Sequence, residues 1–187
     1  GLTRLSILDG GTKAWKGAGG ALETTVPQVA PSQFAYRYDQ EQIVTSEELA
    51  AALQSSTTPL LVDARPPRFF SGEARVDAAA RYGTLPGAKS FDNAQFFPQG
   101  GTTLKPASEL KALVAQSGAA AAPAVSFCNT GHWAATNWFV ISEIAGNQAA
   151  RLYPASMVEW SRSELPMENQ PSRFGALLQD LSNALKK

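Results

Sequence analysis

Residues 124–134 read Ala-Val-Ser-Phe-Cys-Asn-Thr-Gly-His-Trp-Ala and predict a buried strand, a short polar loop and the start of a helix. Within them, Cys128 and His132 are the only cysteine and the only histidine of the 187 residues. Amide groups at a helix N-terminus carry partial positive charge, so a thiol between such a strand and helix tends towards the thiolate. The stretch therefore predicts a reactive Cys128 in an α/β fold, with a small buried core residue as the alternative.

Short apolar segments alternate with helical patterns on both sides of this stretch. Thr45 and Glu48 form a capping-box pattern that predicts the start of a helix. The predicted helices are Ser46–Leu53, Ser108–Gln116, Ala134–Ala145 and Arg173–Lys187. The predicted strands are Pro59–Asp63, Ala88–Phe91, Ala124–Phe127 and Ala149–Tyr153. This alternation is typical of a doubly wound parallel sheet with helices on both faces.

Composition excludes several classes of function. The formal net charge is zero and no block of lysines and arginines occurs, which argues against nucleic-acid binding. No apolar run approaches the ~18 residues that a membrane span requires. One cysteine and one histidine supply too few soft ligands for a structural metal site, and thiolate chemistry needs no organic cofactor. The protein is expected to be soluble. Composition does not distinguish between the cytoplasm and the periplasm as its compartment.

A faint internal repeat divides the chain. The stretch from Arg4 to Trp15 parallels the one from Arg151 to Trp160, an offset of 160 − 15 = 145 residues. Chance could produce the match; otherwise residues 1–25 are the tail of a preceding, homologous unit. Residues 26–42 then form a linker, residues 43–168 a catalytic domain, and residues 169–187 an amphipathic helical extension. That last helix could dock on this domain, on a further domain or on a membrane.

The loop after Cys128 offers several candidate binding groups. Its backbone N–H groups can form a cradle for a thiolate or a persulfide anion, and Gly131 lets the backbone turn tightly. Asn129 and Thr130 are turn residues that could also contact a substrate. His132 is a rim donor rather than a general base, because nucleophile and base usually come from different elements. Trp133 is expected to form a wall of the pocket.

Four motifs together resemble the rhodanese sulfurtransferase family. They are Leu61-Val62-Asp63-Ala64-Arg65, Gly83-Thr84-Leu85-Pro86-Gly87-Ala88, the Cys128 loop, and Leu152-Tyr153-Pro154-Ala155-Ser156-Met157-Val158-Glu159-Trp160. They follow the order of the family and span about residues 43–166. Residues 5–20 resemble the end of another rhodanese unit. The resemblance thus identifies the chain as the C-terminal, catalytic half of a tandem rhodanese.

The resemblance implies a role for each matching residue. Cys128 would accept sulfane sulfur as a persulfide and pass it to a thiophilic acceptor such as cyanide or a thiol. Arg65 would help to bind anionic donors, and Asp63 would be structural. The backbone of residues 129–133 would hold the persulfide. The implied partners are a small-molecule donor and acceptor, together with a preceding rhodanese-like unit packed against this one.

One departure affects the choice of donor. Members of the family that prefer thiosulfate carry arginine or lysine inside the loop, whereas residues 129–133 contain no permanent cation. A phosphatase of the Cys-x5-Arg type is excluded, because Ala134 stands where its arginine would be. A non-catalytic persulfide carrier or binding module in a larger assembly stays open as the alternative, as does a redox sensor.

Overall fold

The computed structural model describes residues 4–36, 40–55 and 58–185. Their α-helices are α1 (Gly11–Gly17), α2 (Ser46–Leu53), α3 (Pro67–Phe70), α4 (Ala107–Ser117), α5 (His132–Phe139), α6 (Ser156–Trp160) and α7 (Arg173–Ala184). The strands are β1 (Leu60–Asp63), β2 (Lys89–Ser90), β3 (Ala124–Phe127) and β4 (Ala150–Leu152). Single 3-10 turns occupy Gln40–Gln42 and Asn93–Phe96, and a π-helical turn, Val140–Ile144, continues α5.

The strands form one parallel sheet in the order β2-β1-β3-β4. Leu61 of β1 and Val125 of β3 pack with α2 and α6 on one face, whereas Val62 and Ala124 pack with α4 and the α5 region on the other. Side chains alternate between the faces of a strand, so these apolar runs are buried on both sides. The predicted doubly wound α/β fold, with helices on both faces, is confirmed.

Most predicted elements occupy the expected segments. Helix α2 has the predicted bounds, because Thr45 and Glu48 form the complete capping box. Helix α5 begins at His132, two residues before the predicted start, because Gly131 adopts a left-handed conformation and caps it. The predicted strand at Ala88–Phe91 shrinks to the two residues of β2. Residues 186–187 of the predicted last helix lie outside the described residues.

The N-terminal segment, residues 4–36, contains one helix, α1, which carries Trp15. The repeat predicted a strand before this tryptophan, but residues 4–8 form none. The segment touches the domain at Asp9, whose carboxylate accepts a hydrogen bond from the N–H of Leu104 (2.9 Å). Its large apolar side chains are exposed, namely Leu5, Ile7, Leu8, Trp15, Leu22, Val26, Val29, Phe34 and Tyr36.

The C-terminal helix α7 attaches to the domain through polar groups. Asp180 accepts hydrogen bonds from Arg75 (2.9 Å) and from the hydroxyl of Tyr82 (2.6 Å). The apolar residues of α7 and its C-cap are more than half exposed: Phe174, Leu177, Leu178, Leu181 and Leu185. The predicted amphipathic helix is present, with its apolar face turned outward. None of the helices in the described ranges combines the length and apolar character needed to cross a bilayer.

Candidate active site

Cys128 follows the last residue of β3, at the carboxyl edge of the parallel sheet. Ligand sites of open α/β sheets form at this edge, where the loops leave the strands. The thiol side chain belongs to a small apolar cluster with Ala64 and Ala134. The residue is only 1% exposed, so it lies at the floor of the site rather than on the surface. Any molecule that reacts with the thiol must therefore reach it through the surrounding side chains.

Gly131 fixes the path of the loop between Cys128 and α5. Its φ of +85° lies in the left-handed region, which favours glycine. A Cβ at this position would stand 2.7 Å from the carbonyl oxygen of Pro154. The loop thus passes directly against the turn after β4, and both the backbone conformation and the available space require glycine here.

The loop presents a row of unpaired amide groups. Within the described part of the chain, no acceptor takes a hydrogen bond from the backbone N–H of any residue from 129 to 133. Gly131 is the N-cap of α5, so the partial positive charge of that helix adds to this region. Successive free N–H groups in a tight turn bind anions. These N–H groups are donors of the kind that an anion would require at this place.

Ser156 supports Cys128 from the opposite side of the loop. The N–H of Cys128 donates to Ser156 Oγ (3.0 Å), and that hydroxyl donates to the carbonyl of Tyr153 (2.8 Å). Ser156 is fully buried and has a φ of +54°, a conformation that costs a non-glycine residue free energy. Strained residues of this kind persist where the surrounding structure holds them, often at functional sites.

Tyr153 anchors this support to the core. Burial raises the pKa of Tyr153 to about 12, so its hydroxyl stays protonated at neutral pH. The hydroxyl shares a hydrogen bond of 2.6 Å with Ser46 Oγ at the start of α2. Ser46 also hydrogen-bonds to Glu159 of α6. Residues 153–156 are thereby tied to two helices, which fixes the backbone on which Ser156 stands.

Arg65 lies beside the cysteine loop, where the resemblance to the family placed it. Its guanidinium is buried, however, rather than open to a donor. Its Nε and Nη2 bind the Asp63 carboxylate, with Nη2 and Oδ2 at 2.6 Å, and Nη2 also donates to the carbonyl of Gly83 (2.8 Å). Its Nη1 reaches Asn129 Oδ1 at 3.5 Å. Asp63 accepts a further hydrogen bond from Thr84. Arg65 thus connects the end of β1 and the segment at Gly83 to the cysteine loop.

The other predicted site residues separate into a floor and a rim. Asn129 and Gly131 are buried, whereas Thr130, His132 and Trp133 are exposed. Thr130 Oγ1 and His132 Nδ1 share a hydrogen bond of 3.0 Å. The structure therefore brings all the predicted loop residues to one place and leaves three side chains for a substrate to meet.

Two residues of α3 belong to this rim and were not predicted. The ring of Phe69 lies 6.3 Å from that of Trp133, centroid to centroid. The guanidinium of Arg68 lies 5.1 Å above the Phe69 ring, and Arg68 is exposed. Pro66-Pro67 was the available sequence signal for α3, because proline is common in the first turn of a helix. Ser156 lies in the fourth motif, and no local pattern indicates its contact with Cys128.

The described residues contain no group of three histidine, cysteine, aspartate or glutamate side chains that could hold a metal ion. The groups near Cys128 are backbone amides, hydroxyls, a guanidinium and the imidazole of His132. Cys128 and His132 are two residues of the types that bind zinc, which is fewer than a structural zinc site uses.

Comparisons with known proteins show which family the chain resembles. The model of the rhodanese-like domain matches residues 45–163. A relative from Synechococcus elongatus, whose name includes the words thiosulfate sulfurtransferase, is 31% identical over 182 residues, covering 92% of this chain and 55% of the relative. The sulfur carrier protein TtuD of Thermus thermophilus is 29% identical over 164 residues, covering 82% and 57%. This chain thus spans a little over half the length of these curated relatives.

A solved structure extends the comparison to the fold. A variant of EanB, in a cysteine-persulfide form with ergothioneine, superposes with a TM-score of 0.73 and 25% identity. The match covers 86% of this chain and 40% of EanB. The parallel sheet, the cysteine loop between β3 and α5, and the match over residues 45–163 lead to one conclusion: this chain belongs to the rhodanese-like family.

Proposed function

We propose that this protein transfers sulfane sulfur from thiosulfate or a related donor to cyanide or a thiol through a persulfide on Cys128. One observation carries the proposal. The only cysteine of the chain begins a loop whose next five backbone N–H groups have no acceptor within the described residues. Such a row of donors would stabilise first the thiolate and then the terminal sulfur of a persulfide.

The reaction consists of two displacements. The thiolate of Cys128 attacks the outer sulfur of thiosulfate, the sulfur–sulfur bond of the donor breaks, and sulfite leaves with the electron pair. An acceptor such as cyanide then attacks the terminal sulfur of the persulfide. The bond between Cys128 Sγ and the terminal sulfur breaks, thiocyanate forms, and the Cys128 thiolate is regenerated. The negative charge stays near the loop amides throughout, so these donors need not reorganise during the cycle.

The residues around Cys128 take different parts in this proposal. The amides of residues 129–133 hold the reacting sulfur, and Trp133 with Phe69 limits the approach to it. The side chains of Thr130 and His132, at the rim of the site, donate hydrogen bonds to the oxygen atoms of thiosulfate. Because the guanidinium of Arg65 is buried and bound by Asp63 and Gly83, we assign Arg65 to positioning the loop through Asn129.

Arg68 is then the cation best placed to meet an anionic donor. It is exposed, and its guanidinium lies over the ring that faces Trp133. For Arg68→Ala we expect KM for thiosulfate to rise roughly tenfold, since a charge-assisted hydrogen bond contributes about 1.5–3 kcal/mol, with kcat changed much less. Arg162→Ala, which also removes a surface arginine, is the matched control and should leave KM unchanged. Equal KM values for both variants and the unmodified protein would remove Arg68 from the site.

Mass spectrometry tests the central claim. After incubation with thiosulfate, the intact protein should gain the mass of one sulfur atom, and cyanide should remove it. Cys128→Ser should show no gain. Incubation with 3-mercaptopyruvate in parallel distinguishes the two donor classes, which the loop without a lysine or arginine leaves open. If neither donor modifies the unmodified protein, the proposed persulfide cycle is wrong.

A persulfide carrier is the second candidate, and the similarity to the sulfur carrier protein TtuD favours it. A carrier would be loaded in the same way but would release its sulfur only to a protein partner. Steady-state turnover with cyanide, compared with single-turnover transfer to purified acceptor proteins, separates the two. Turnover of many equivalents with small acceptors identifies an enzyme.

The exposed apolar surfaces are consistent with the presence of a further unit of the same family in a longer protein. They comprise the apolar side chains of the segment 4–36 and of the outer face of α7, which are between 46% and 89% exposed. Exposed apolar area on this scale indicates an interaction surface. We propose that a preceding rhodanese-like unit packs against this one, consistent with relatives that are nearly twice as long.

A further inference from the structure

A polar cavity separates helix α7 from the segment 75–82. It has a volume of about 440 Å³ and is lined by the side chains of Arg75, Arg81, Tyr82, Arg173 and Asp180, among others. None of its lining residues belongs to the cysteine loop. We propose that this cavity is a second binding site, for a ligand that carries a multiply charged oxyanion of the phosphate type.

The charges of the lining are unbalanced. Three arginines face one aspartate, so the lining residues carry +3 − 1 = +2. The aspartate, Asp180, is already engaged by Arg75 (2.9 Å) and by the hydroxyl of Tyr82 (2.6 Å). Arg81 and Arg173 therefore have no counter-charge among the residues that line the cavity. Two guanidinium groups in one cavity favour an anion with more than one charge.

Arg81 is held rigidly but is not neutralised. Its Nε and Nη2 donate to backbone carbonyls of the turn after α6, at Trp160, Ser161, Ser163 and Leu165. Carbonyl oxygens are neutral acceptors, so the full charge of the guanidinium remains. Within the described residues, its Nη1 donates to no acceptor. A fixed guanidinium with one free edge is a preorganised donor, which binds an oxyanion without further loss of side-chain entropy.

Arg173 adds a second positive charge to the cavity, at a position where the helix itself disfavours a positive charge. It is the first residue of α7, where the partial positive charge of the helix disfavours a cation, and it is exposed. No other described residue makes an ion pair or hydrogen bond with its side chain. An anion in the cavity would offset both the charge of Arg173 and that of the helix terminus. The size of the cavity falls in the range of small-ligand sites, which exceeds what a single tetrahedral ion fills.

Calorimetric titration of the 187-residue protein with sodium pyrophosphate at low ionic strength tests the proposal. We expect saturable binding of one equivalent, with inorganic phosphate and sulfate binding more weakly. Arg173→Ala should weaken pyrophosphate binding roughly tenfold, the effect of losing a charge-assisted contact, and Arg173→Lys less. Arg81 is not substituted, because it ties together the turn after α6 and its loss could unfold the domain.

Two controls keep the test specific. Arg4→Ala removes the same charge from an exposed arginine outside the cavity and should leave the affinity unchanged. Cys128→Ser should bind pyrophosphate as the unmodified protein does, which separates this site from the sulfur chemistry. Absence of saturable binding would overturn the proposal. So would an equal loss in Arg173→Ala and Arg4→Ala, which would indicate a diffuse charge effect, or equal affinity for sulfate and pyrophosphate.

Discussion

Among the residues that the structure describes, the hydroxyl of Ser156 accepts the hydrogen bond donated by the N–H of Cys128. Its left-handed φ means that the hydroxyl is kept in place at a cost in backbone free energy. The nucleophile is thus oriented by its own main chain, which is fixed to Ser156 and, through Tyr153, to α2. An orienting contact of this kind should affect the rate of sulfur transfer more than the binding of the donor.

Two substitutions at Ser156 separate orientation from strain. Ser156→Ala removes the acceptor and keeps the unfavourable φ, so it leaves a buried N–H without a partner at about 1–3 kcal/mol of stability. Ser156→Gly also removes the acceptor but relieves the backbone. We expect both variants to lose kcat with KM little changed, and Ser156→Ala to be the less stable by urea unfolding. An unchanged kcat in both would show that Ser156 has no positioning role.

At the scale of elements, the site depends on how closely the cysteine loop approaches the turn after β4. Gly131 allows this approach, because any Cβ there meets the carbonyl of Pro154. The N–H groups of Met157 and Val158 in α6 donate to the carbonyls of Cys128 and Asn129. The carbonyls of the loop are therefore paired with α6, and this pairing leaves its N–H groups free for the ligand.

Gly131→Ala should abolish sulfur transfer and destabilise the protein. A left-handed backbone costs a non-glycine residue about 1–2 kcal/mol, and the contact with Pro154 adds to that. Gly87→Ala is the matched control, because Gly87 also has a positive φ, +70°, but a Cβ there meets no described atom within 4 Å. Gly87→Ala should lower the free energy of unfolding only by the cost of the left-handed backbone, and it should retain activity. Equal losses of stability in a chemical unfolding series would contradict the structural explanation.

The attachment of α7 should depend on pH through Asp180. The hydrogen bond from Tyr82, followed by the contacts of Arg75, holds the pKa of Asp180 below its usual value. A depressed pKa in the folded state means that ionised Asp180 stabilises the docked helix above the unfolded pKa, near 4, and that this contribution is lost as the pH falls through the folded value. Docking is therefore complete at neutral pH and weakens in acid.

Hydrogen exchange of the α7 amides measures this docking. We expect faster exchange in Asp180→Asn at pH 7, with the core strands unaffected, because the amide keeps the shape but not the charge. Asn183→Asp, a change of charge elsewhere on the same helix, serves as the control. If Asp180→Asn and the unmodified protein exchange alike, the polar anchor does not hold α7.

For the whole molecule, the sequence predicted the sheet and its two helical layers better than it predicted the first and last residues of each helix and strand. The alternation of short apolar segments with helical patterns predicted the parallel sheet, in which Leu61 and Val62 are buried on opposite faces. The short β2 and the early start of α5 depend on contacts distant in sequence, such as that between Gly131 and Pro154, which no local pattern contains. For the same reason, the sequence predicted that residues 129–133 follow Cys128 in one loop, but it gave no sign that Phe69 packs near Trp133 or that Ser156 accepts the N–H of Cys128.

The exposed apolar segment 4–36 leads to a prediction about longer forms of the protein. Where a further rhodanese-like unit precedes this chain, amide exchange in residues 4–36 should be slower than in the 187-residue protein, since burial of the apolar side chains would protect the backbone. The strands of the sheet serve as the internal reference. Equal exchange rates in the two forms would show that the segment does not pack against another unit.

If Cys128 carries a persulfide, as we propose, the single cysteine of the chain affects how long that persulfide lasts. A second thiol nearby would attack the loaded form and discharge it as a disulfide, but these 187 residues contain none. Cys128 also lies beneath the surface, where bulky reductants have little access. Release of a sulfur held there would therefore depend on a nucleophile supplied from outside these 187 residues, and its rate of arrival would set the lifetime of the persulfide.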